Sequence, residues 1–213
     1  MTRKPFISLV MATYGRSSEL APALQSLLAQ TDHGFELIVV DQNRHDLVAP
    51  ELQPLRKAGI AVKHVRVDIP SLSNARNAGL ERAEGEVVAF PDDDCWYEPD
   101  VIAAARTAFE SDDTLDGVVG KWCEVEGLND RPPEPLSYDL WRTFRAGDAS
   151  SITLFFRLAA LRRIGGFDKR LGAGRYFGCG EETDVILRML GSGARIEYLP
   201  QMRVHHEYAP WPG

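Results

Sequence analysis

Two alternating rhythms in the first half of the chain limit its fold more than any other feature. "FISLVMA" (6–12) is a continuous apolar run of strand length. It is followed by "SSELAPALQSLLAQ" (17–30), which opens on a Ser cap signal and carries Leu20, Leu24, Leu27 and Leu28 at helical spacing. "FELIVVD" (35–41) precedes "DLVAPELQPLRKAG" (46–59), a poorer helix broken by prolines and closed by Gly59. "IAVKHVRV" (60–67) alternates as a third strand, and "SLSNARNAGLERAEG" (71–85) reads as a helix stopped by Gly85. "EVVAF" (86–90) is a fourth strand, and "PDVIAAARTAFE" (99–110) is a helix with Pro99 at its start. Strands that alternate with helices and read as unbroken apolar runs predict an α/β fold: a mostly parallel, Rossmann-like central sheet with helices on both faces.

The second half is less regular. "DGVVGKWCEVEG" (116–127) and "SITLFFR" (151–157) are predicted strands, separated by the proline-rich loop "LNDRPPEPLSYD" (128–139). "LAALRRIGG" (158–166) predicts a short helix. The glycine-rich "FDKRLGAGRYFGCGEET" (167–183) predicts an ordered active-site loop or a lid. "EETDVILRMLGSG" (181–193) is a helix, and "RIEYLP" and "MRVHHEY" are two late strands. No repeat or linker is visible, so 1–213 is expected to form one domain, which a chain of 213 residues can supply with a substantial core.

In parallel sheets, ligands bind beyond the carboxyl ends of the strands. Each early strand delivers polar residues there: Thr13, Tyr14 and Arg16 after the first, Asp41 after the second, Ser73, Arg76 and Asn77 after the third, Asp92, Asp93 and Asp94 after the fourth. Three adjacent carboxylates repel one another. They suit a solvated helix entry, or they suit Mg2+ or Mn2+, hard ions that favour oxygen donors and remove the repulsion. Glu181, Glu182 and Asp184 open a late helix, either as dipole-complementing residues or as a general base aimed into a cleft. His205 and His206 are a surface pair, or one of them completes a metal site with Asp94.

The net charge of −7 argues against a nucleic-acid partner, because no basic excess is present to neutralise phosphates. No run approaches the roughly 20 apolar residues of a membrane span, and the N-terminal run reads as a strand rather than a signal peptide. Cys95, Cys123 and Cys179 are widely spaced with no CxxC pair, which argues against a zinc cluster or a disulfide scaffold and fits a reducing, cytoplasmic setting.

Taken in order, "ISLVMATYGR", "LIVVDQN", "SLSNARNAGLERAEGEVVAFPDDD", "GGFDKRLGAG", "GCGEETDVILRMLGSGARIEYLP" and "VHHE" resemble the family 2 glycosyltransferases, across nearly the whole chain. The resemblance implies a GT-A fold, with 1–94 as the nucleotide-sugar half and 95–213 as a smaller acceptor and catalytic-base half. It implies inverting transfer of a sugar from a nucleotide-diphosphate donor, with Mn2+ or Mg2+, to an acceptor hydroxyl in a glycan, glycolipid or natural product. Thr13, Tyr14 and Arg16 fall where the family lines the base and ribose, and Asp41 where a carboxylate bonds the base, favouring UDP or dTDP with GDP open. Ser73, Arg76 and Asn77 border the donor. Asp92 and Asp93 face the ribose and donor sugar, and Asp94 ligates the metal with His206, His205 being the fallback. Glu182 takes the base position, where the family more often has Asp; Glu181 and Asp184 compete. Gly172, Gly174, Gly178 and Gly180 shape the acceptor pocket, and Trp122, Tyr138, Trp141 and Trp211 offer stacking surfaces. A cytoplasmic location, or peripheral attachment at the cytoplasmic face of a membrane, fits such an enzyme.

Three other readings use the same residues. A nucleotidyltransferase would want a glycine-rich basic loop after the first strand, where "ATYGRSS" has one glycine and one arginine. A non-catalytic sugar-nucleotide-binding scaffold would tolerate loss of the acidic helix start, which is intact here. A receiver domain would want its acidic pair after the first strand.

Overall fold

The computed structural model describes residues 5–124, 132–143 and 150–206. Among them, nine strands form one mixed sheet in the order β3-β2-β1-β4-β8-β6-β9-β5, with β7 paired to β9. The strands are β1 (Ile7–Thr13), β2 (Phe35–Asp41), β3 (Ala61–Arg66), β4 (Val87–Ala89), β5 (Cys95–Tyr97), β6 (Gly117–Trp122), β7 (Glu134–Pro135), β8 (Leu154–Arg157) and β9 (Ile196–His206). The helices are α1 (Ala21–Leu28), α2 (Gln53–Lys57), α3 (Leu72–Arg82), α4 (Val101–Ser111), α5 (Tyr138–Thr143), α6 (Leu158–Arg163) and α7 (Glu181–Gly191).

The first four predicted strands pair in parallel as β3-β2-β1-β4. Their apolar runs are continuous because both faces are covered. Leu9, Met11, Leu37 and Val39 enter one core layer with Leu24, Leu27, Ile102 and Phe109. Val10, Ile38 and Val40 enter the other with Leu80, Phe156, Val185 and Met189. β8 then runs antiparallel to both β4 and β6, and β9 runs parallel to β6. Two reversals restore the direction, so the carboxyl end of β9 reaches the same rim as that of β4.

Four expectations change. "RIEYLP" and "MRVHHEY" are one strand, β9, whose pairing with β6 shifts register between Val119 and Lys121 instead of breaking. "SITLFFR" begins as a 3-10 turn, Ser151–Thr153, and only Leu154–Arg157 is strand. Cys95–Tyr97, directly after the aspartates, is a strand that its three residues do not announce; it exists because β9 offers it an edge. The segment 46–59 keeps only α2, as its prolines require.

Candidate active site

The three aspartates leave the end of β4 and turn at once into β5, the Cys95 N–H bonding the Asp92 carbonyl at 3.4 Å. β5 is antiparallel to β9, with Cys95 opposite His206 and Trp96 opposite His205. This register brings His206 Nε2 to 3.1 Å from Asp94 Oδ1. Arg16, past the end of the neighbouring β1, reaches Asp94 Oδ2 at 2.6 Å and Asp93 at 3.4 Å. Arg16 and the contact from His206 thus offset the repulsion between the carboxylates.

Their protonation differs accordingly. The hydrogen bond from His206, with help from Arg16, holds Asp94 down at about 2, and Asp94 in turn raises His206. Burial raises Asp93 to about 6 against the pull of the Thr13 hydroxyl and Arg16. Burial also raises Asp92, with Arg76 opposing it.

Arg76 is the centre of the site. Its guanidinium is 1 % exposed and binds Glu181 Oε1 at 3.0 Å, Asp92 Oδ1 at 3.0 Å and Ser151 Oγ at 2.8 Å. Its flat faces lie 6.0 Å from the Phe90 ring centroid and 5.4 Å from that of Phe167. One residue on α3 therefore joins the acidic turn after β4 to the acidic start of α7. Ser151 gave no sequence signal for this role; a lone serine before an apolar run is uninformative.

The first turn of α7 separates the three candidate bases. Glu181 is tied to Arg76. Asp184 is held by Arg188 one turn on, at 2.9 Å, and Arg188 also bonds the carbonyls of Ile164 and Gly166. Glu182 is the one whose buried carboxylate oxygen, Oε2, lacks a partner. Burial first, and the adjacent Glu181 charge second, push it up to about 7. The N-cap is Gly180 at φ +87°, a left-handed conformation that lets the chain turn sharply into the helix.

Several predicted site residues sit one layer behind the cleft. Asp41 is fully buried: Oδ1 accepts from the Asn43 backbone N–H at 2.9 Å and side-chain amide at 2.8 Å, and Oδ2 lies 2.9 Å from His64 Nε2. It orients Asn43, whose Oδ1 accepts from the Gly15 N–H at 2.6 Å. Tyr14, 60 % exposed, lines a cleft of about 280 Å³ with Gly15, Gln42, Asn43, Arg44 and Pro70. Ser73 and Asn77 do not face that cleft: Ser73 bonds the Leu171 carbonyl at 2.8 Å, and Asn77 clasps both the N–H and C=O of Phe167. They fasten the glycine-rich loop to α3. His205 points away from Asp94, stacking on Trp96 with centroids 5.5 Å apart, because adjacent strand residues face opposite sides. Trp122 packs edge-on against His206 at 5.4 Å. Trp211 lies outside the described residues.

A mixed α/β sheet that gathers carboxylates, arginines and a histidine at one rim defines the class. The fold is that of GT-A glycosyltransferases. It matches Staphylococcus aureus TarS 1-349, solved in complex with UDP-GlcNAc, at TM-score 0.75 and 20% identity over 96% of this chain and 59% of that one. It also matches the mannosyltransferase PcManGT from Pyrobaculum calidifontis, solved in complex with GDP-Man and Mn2+, at TM-score 0.72 and 21% identity over 100% of this chain and 59% of that one.

The family model for glycosyl transferase family 2 matches residues 8–164, and the chain belongs to that family. Putative glycosyltransferase EpsH of Bacillus subtilis is 33% identical over 112 residues, 52% of this chain and 33% of that protein. Glucosyl-dolichyl phosphate glucuronosyltransferase of Haloferax volcanii is 26% identical over 94% of this chain and 69% of that protein. The chain thus spans about a third of EpsH and about three-fifths of TarS 1-349. No helix among the described residues is long and apolar enough to cross a membrane.

Proposed function

We propose that the chain is an inverting, metal-dependent glycosyltransferase that moves a sugar from a nucleotide diphosphate to an acceptor hydroxyl. The observation that carries this reading is Glu182: a buried carboxylate raised to about 7, with an unpartnered oxygen, joined through Glu181 and Arg76 to the aspartates at the end of β4.

Glu182 accepts the acceptor's proton as its oxygen attacks the anomeric carbon, on the face opposite the departing diphosphate. Glu181, paired with Arg76, stands beside it, and the Glu181 charge favours uptake of the proton by Glu182. Asp184 anchors α7 through Arg188, which makes it a positioning residue. Tyr14 and the Asn43 loop border the space for the base, with Asp41 behind them. Asp92 and Asp93 would face the ribose and donor sugar, and Arg16, held by Asp93 and Asp94, is the cation that would meet the diphosphate.

The donor set fits a divalent ion. Asp94 is held at about 2, and its Oδ1 lies 3.1 Å from His206 Nε2, so a carboxylate and an imidazole nitrogen face the same space. Asp94 and His206 would hold Mn2+ or Mg2+, which when bound supplies positive charge for the leaving diphosphate. UDP or dTDP is the first choice of nucleotide and GDP the next; UDP-GlcNAc and GDP-Man occur with the two solved relatives. The acceptor is a glycan, glycolipid or small molecule met in the cytoplasm or at its membrane face.

The test is thermal unfolding with nucleoside diphosphates and their sugars, each with and without Mn2+. Ligand at about a hundred times its dissociation constant adds about 2.7 kcal/mol of stability. A shift confined to one diphosphate, requiring Mn2+ and lost in Asp94→Asn, supports the reading. A flat panel on folded protein favours a non-catalytic scaffold.

A further inference from the structure

β9 presents a second set of donors on the face opposite His206. One ligand atom each from Glu98, Cys123 and His205 lies within 4.8 Å of the others, and all three residues are half-buried. They come from three places: Glu98 after β5, Cys123 after β6, His205 on β9. Each is held by backbone pairing. Glu98 N–H bonds the Arg203 carbonyl at 3.1 Å, and Cys123 N–H bonds the Val204 carbonyl at 2.9 Å. The His205 ring is fixed from two further directions. Trp96 stacks on it within 3° of parallel, and Glu124 Oε1 lies 2.7 Å from Nδ1. Glu124 Oε2 also accepts from the His206 N–H at 3.1 Å, so this carboxylate is itself anchored.

We infer that Glu98, Cys123 and His205 form a zinc-class metal site, independent of the carboxylate centre at Asp94. An Nδ1–H donated to Glu124 leaves the Nε2 lone pair directed at Glu98, 3.2 Å away. A histidine whose other nitrogen donates to a carboxylate is the usual arrangement of a metal-ligating imidazole. Thiolate, imidazole and carboxylate together select Zn2+ or Co2+ over Mg2+ and Mn2+. Two carboxylates and a thiolate outnumber the nearby cations, Arg203, which bonds Glu98 at 2.8 Å, and Lys121, and leave a net negative site that favours a divalent cation. A water completes a tetrahedral set. On binding, the Cys123 thiol releases its proton to solvent. The spacing of the cysteines along the chain argues against a zinc cluster, yet the sheet assembles a mixed set from residues 25 to 107 positions apart. The other such group among the described residues, Asp41, Asp46 and His64, has no thiol, and its Asp41 oxygens are already committed to Asn43 and His64. A metal at Cys123 would clamp the ends of β5, β6 and β9, and so the strand end that carries His206.

The experiment is titration of chelator-stripped protein with Co2+. The expected result is a near-ultraviolet thiolate-to-cobalt charge-transfer band that saturates at one equivalent, whatever binds at Asp94, and that Zn2+ bleaches and Mn2+ does not. The band should be lost in Cys123→Ser, weakened at least tenfold in affinity in Glu98→Gln, and unchanged in Cys179→Ser and Asp94→Asn. Circular dichroism verifies that each variant is folded. Absence of the band in folded wild-type protein, or its persistence in Cys123→Ser, overturns the proposal.

Discussion

Glu182 and Arg76 show how one side chain's position sets another's chemistry. Glu182 as base must be deprotonated, so kcat should rise with pH through about 7 and level off above it. Glu182→Gln should keep donor binding and lose about 10²–10⁴ in rate; an unchanged rate would transfer the role to another carboxylate. The same shift has a stability cost. A carboxyl whose folded pKa lies above its unfolded value stabilises the fold at low pH and loses that contribution as pH rises through the folded value. Glu182→Gln should therefore match wild type near pH 4 and exceed it at pH 8, by up to about 3 kcal/mol; denaturant melts at the two pH values check the crossover. Arg76 is the reverse case. Arg76→Met leaves Glu181 and Asp92 without their buried counter-charge and should cost about 3–5 kcal/mol. Arg76→Lys should rescue little, since an ammonium cannot span Glu181, Asp92 and Ser151 at once.

At the scale of elements, the glycine-rich segment before α7 is pinned rather than free. Asn77 and Ser73 hold Phe167 and Leu171, and the Leu72 N–H bonds the Ala173 carbonyl at 3.0 Å. Gly174 sits at φ +82°, and a Cβ there would lie 2.7 Å from the Pro70 carbonyl oxygen. Gly174→Ala should lower stability by more than about 1 kcal/mol, read as a fall in Tm. Asn77→Ala frees the Phe167 backbone and should speed hydrogen exchange at 167–171 while leaving β1 and β2 protected. Equal exchange in both variants would mean that the loop is held by packing alone. The helix α3 was legible from its caps and "SNARNAG", but which of its polar residues face donor and which face loop was not. Helical spacing places Ser73, Arg76 and Asn77 close together on one side; only the position of the 167–174 segment decides that two of them are fasteners.

At the scale of the molecule, the two halves share one sheet. β4 from 1–94 pairs with β8 from 95–213, and β5 lies at the far edge against β9. We therefore expect 1–213 to unfold as one cooperative unit, with calorimetric and van't Hoff enthalpies equal. Two resolved transitions would separate 1–94 from 95–213. The parallel half could be read from the chain because its signal is local: each buried strand is a continuous apolar run, and each helix carries its own period and stops. The second half could not be read as far, because β5 and the unbroken β9 are strands by virtue of their neighbours.

The sequence by itself determined the α/β class, the family, and the rim on which the polar residues gather, since apolar period and strand-end residues are local properties of the chain. Which groups meet on that rim was decided by the tertiary structure. His206 rather than His205 faces Asp94 because β5 and β9 pair in one register and adjacent residues point to opposite faces. Glu182 rather than Glu181 or Asp184 is left with a free, desolvated oxygen because Arg76 and Arg188 take the other two. Those outcomes depend on distances between residues up to 112 positions apart, and on burial, neither of which is encoded in local pattern.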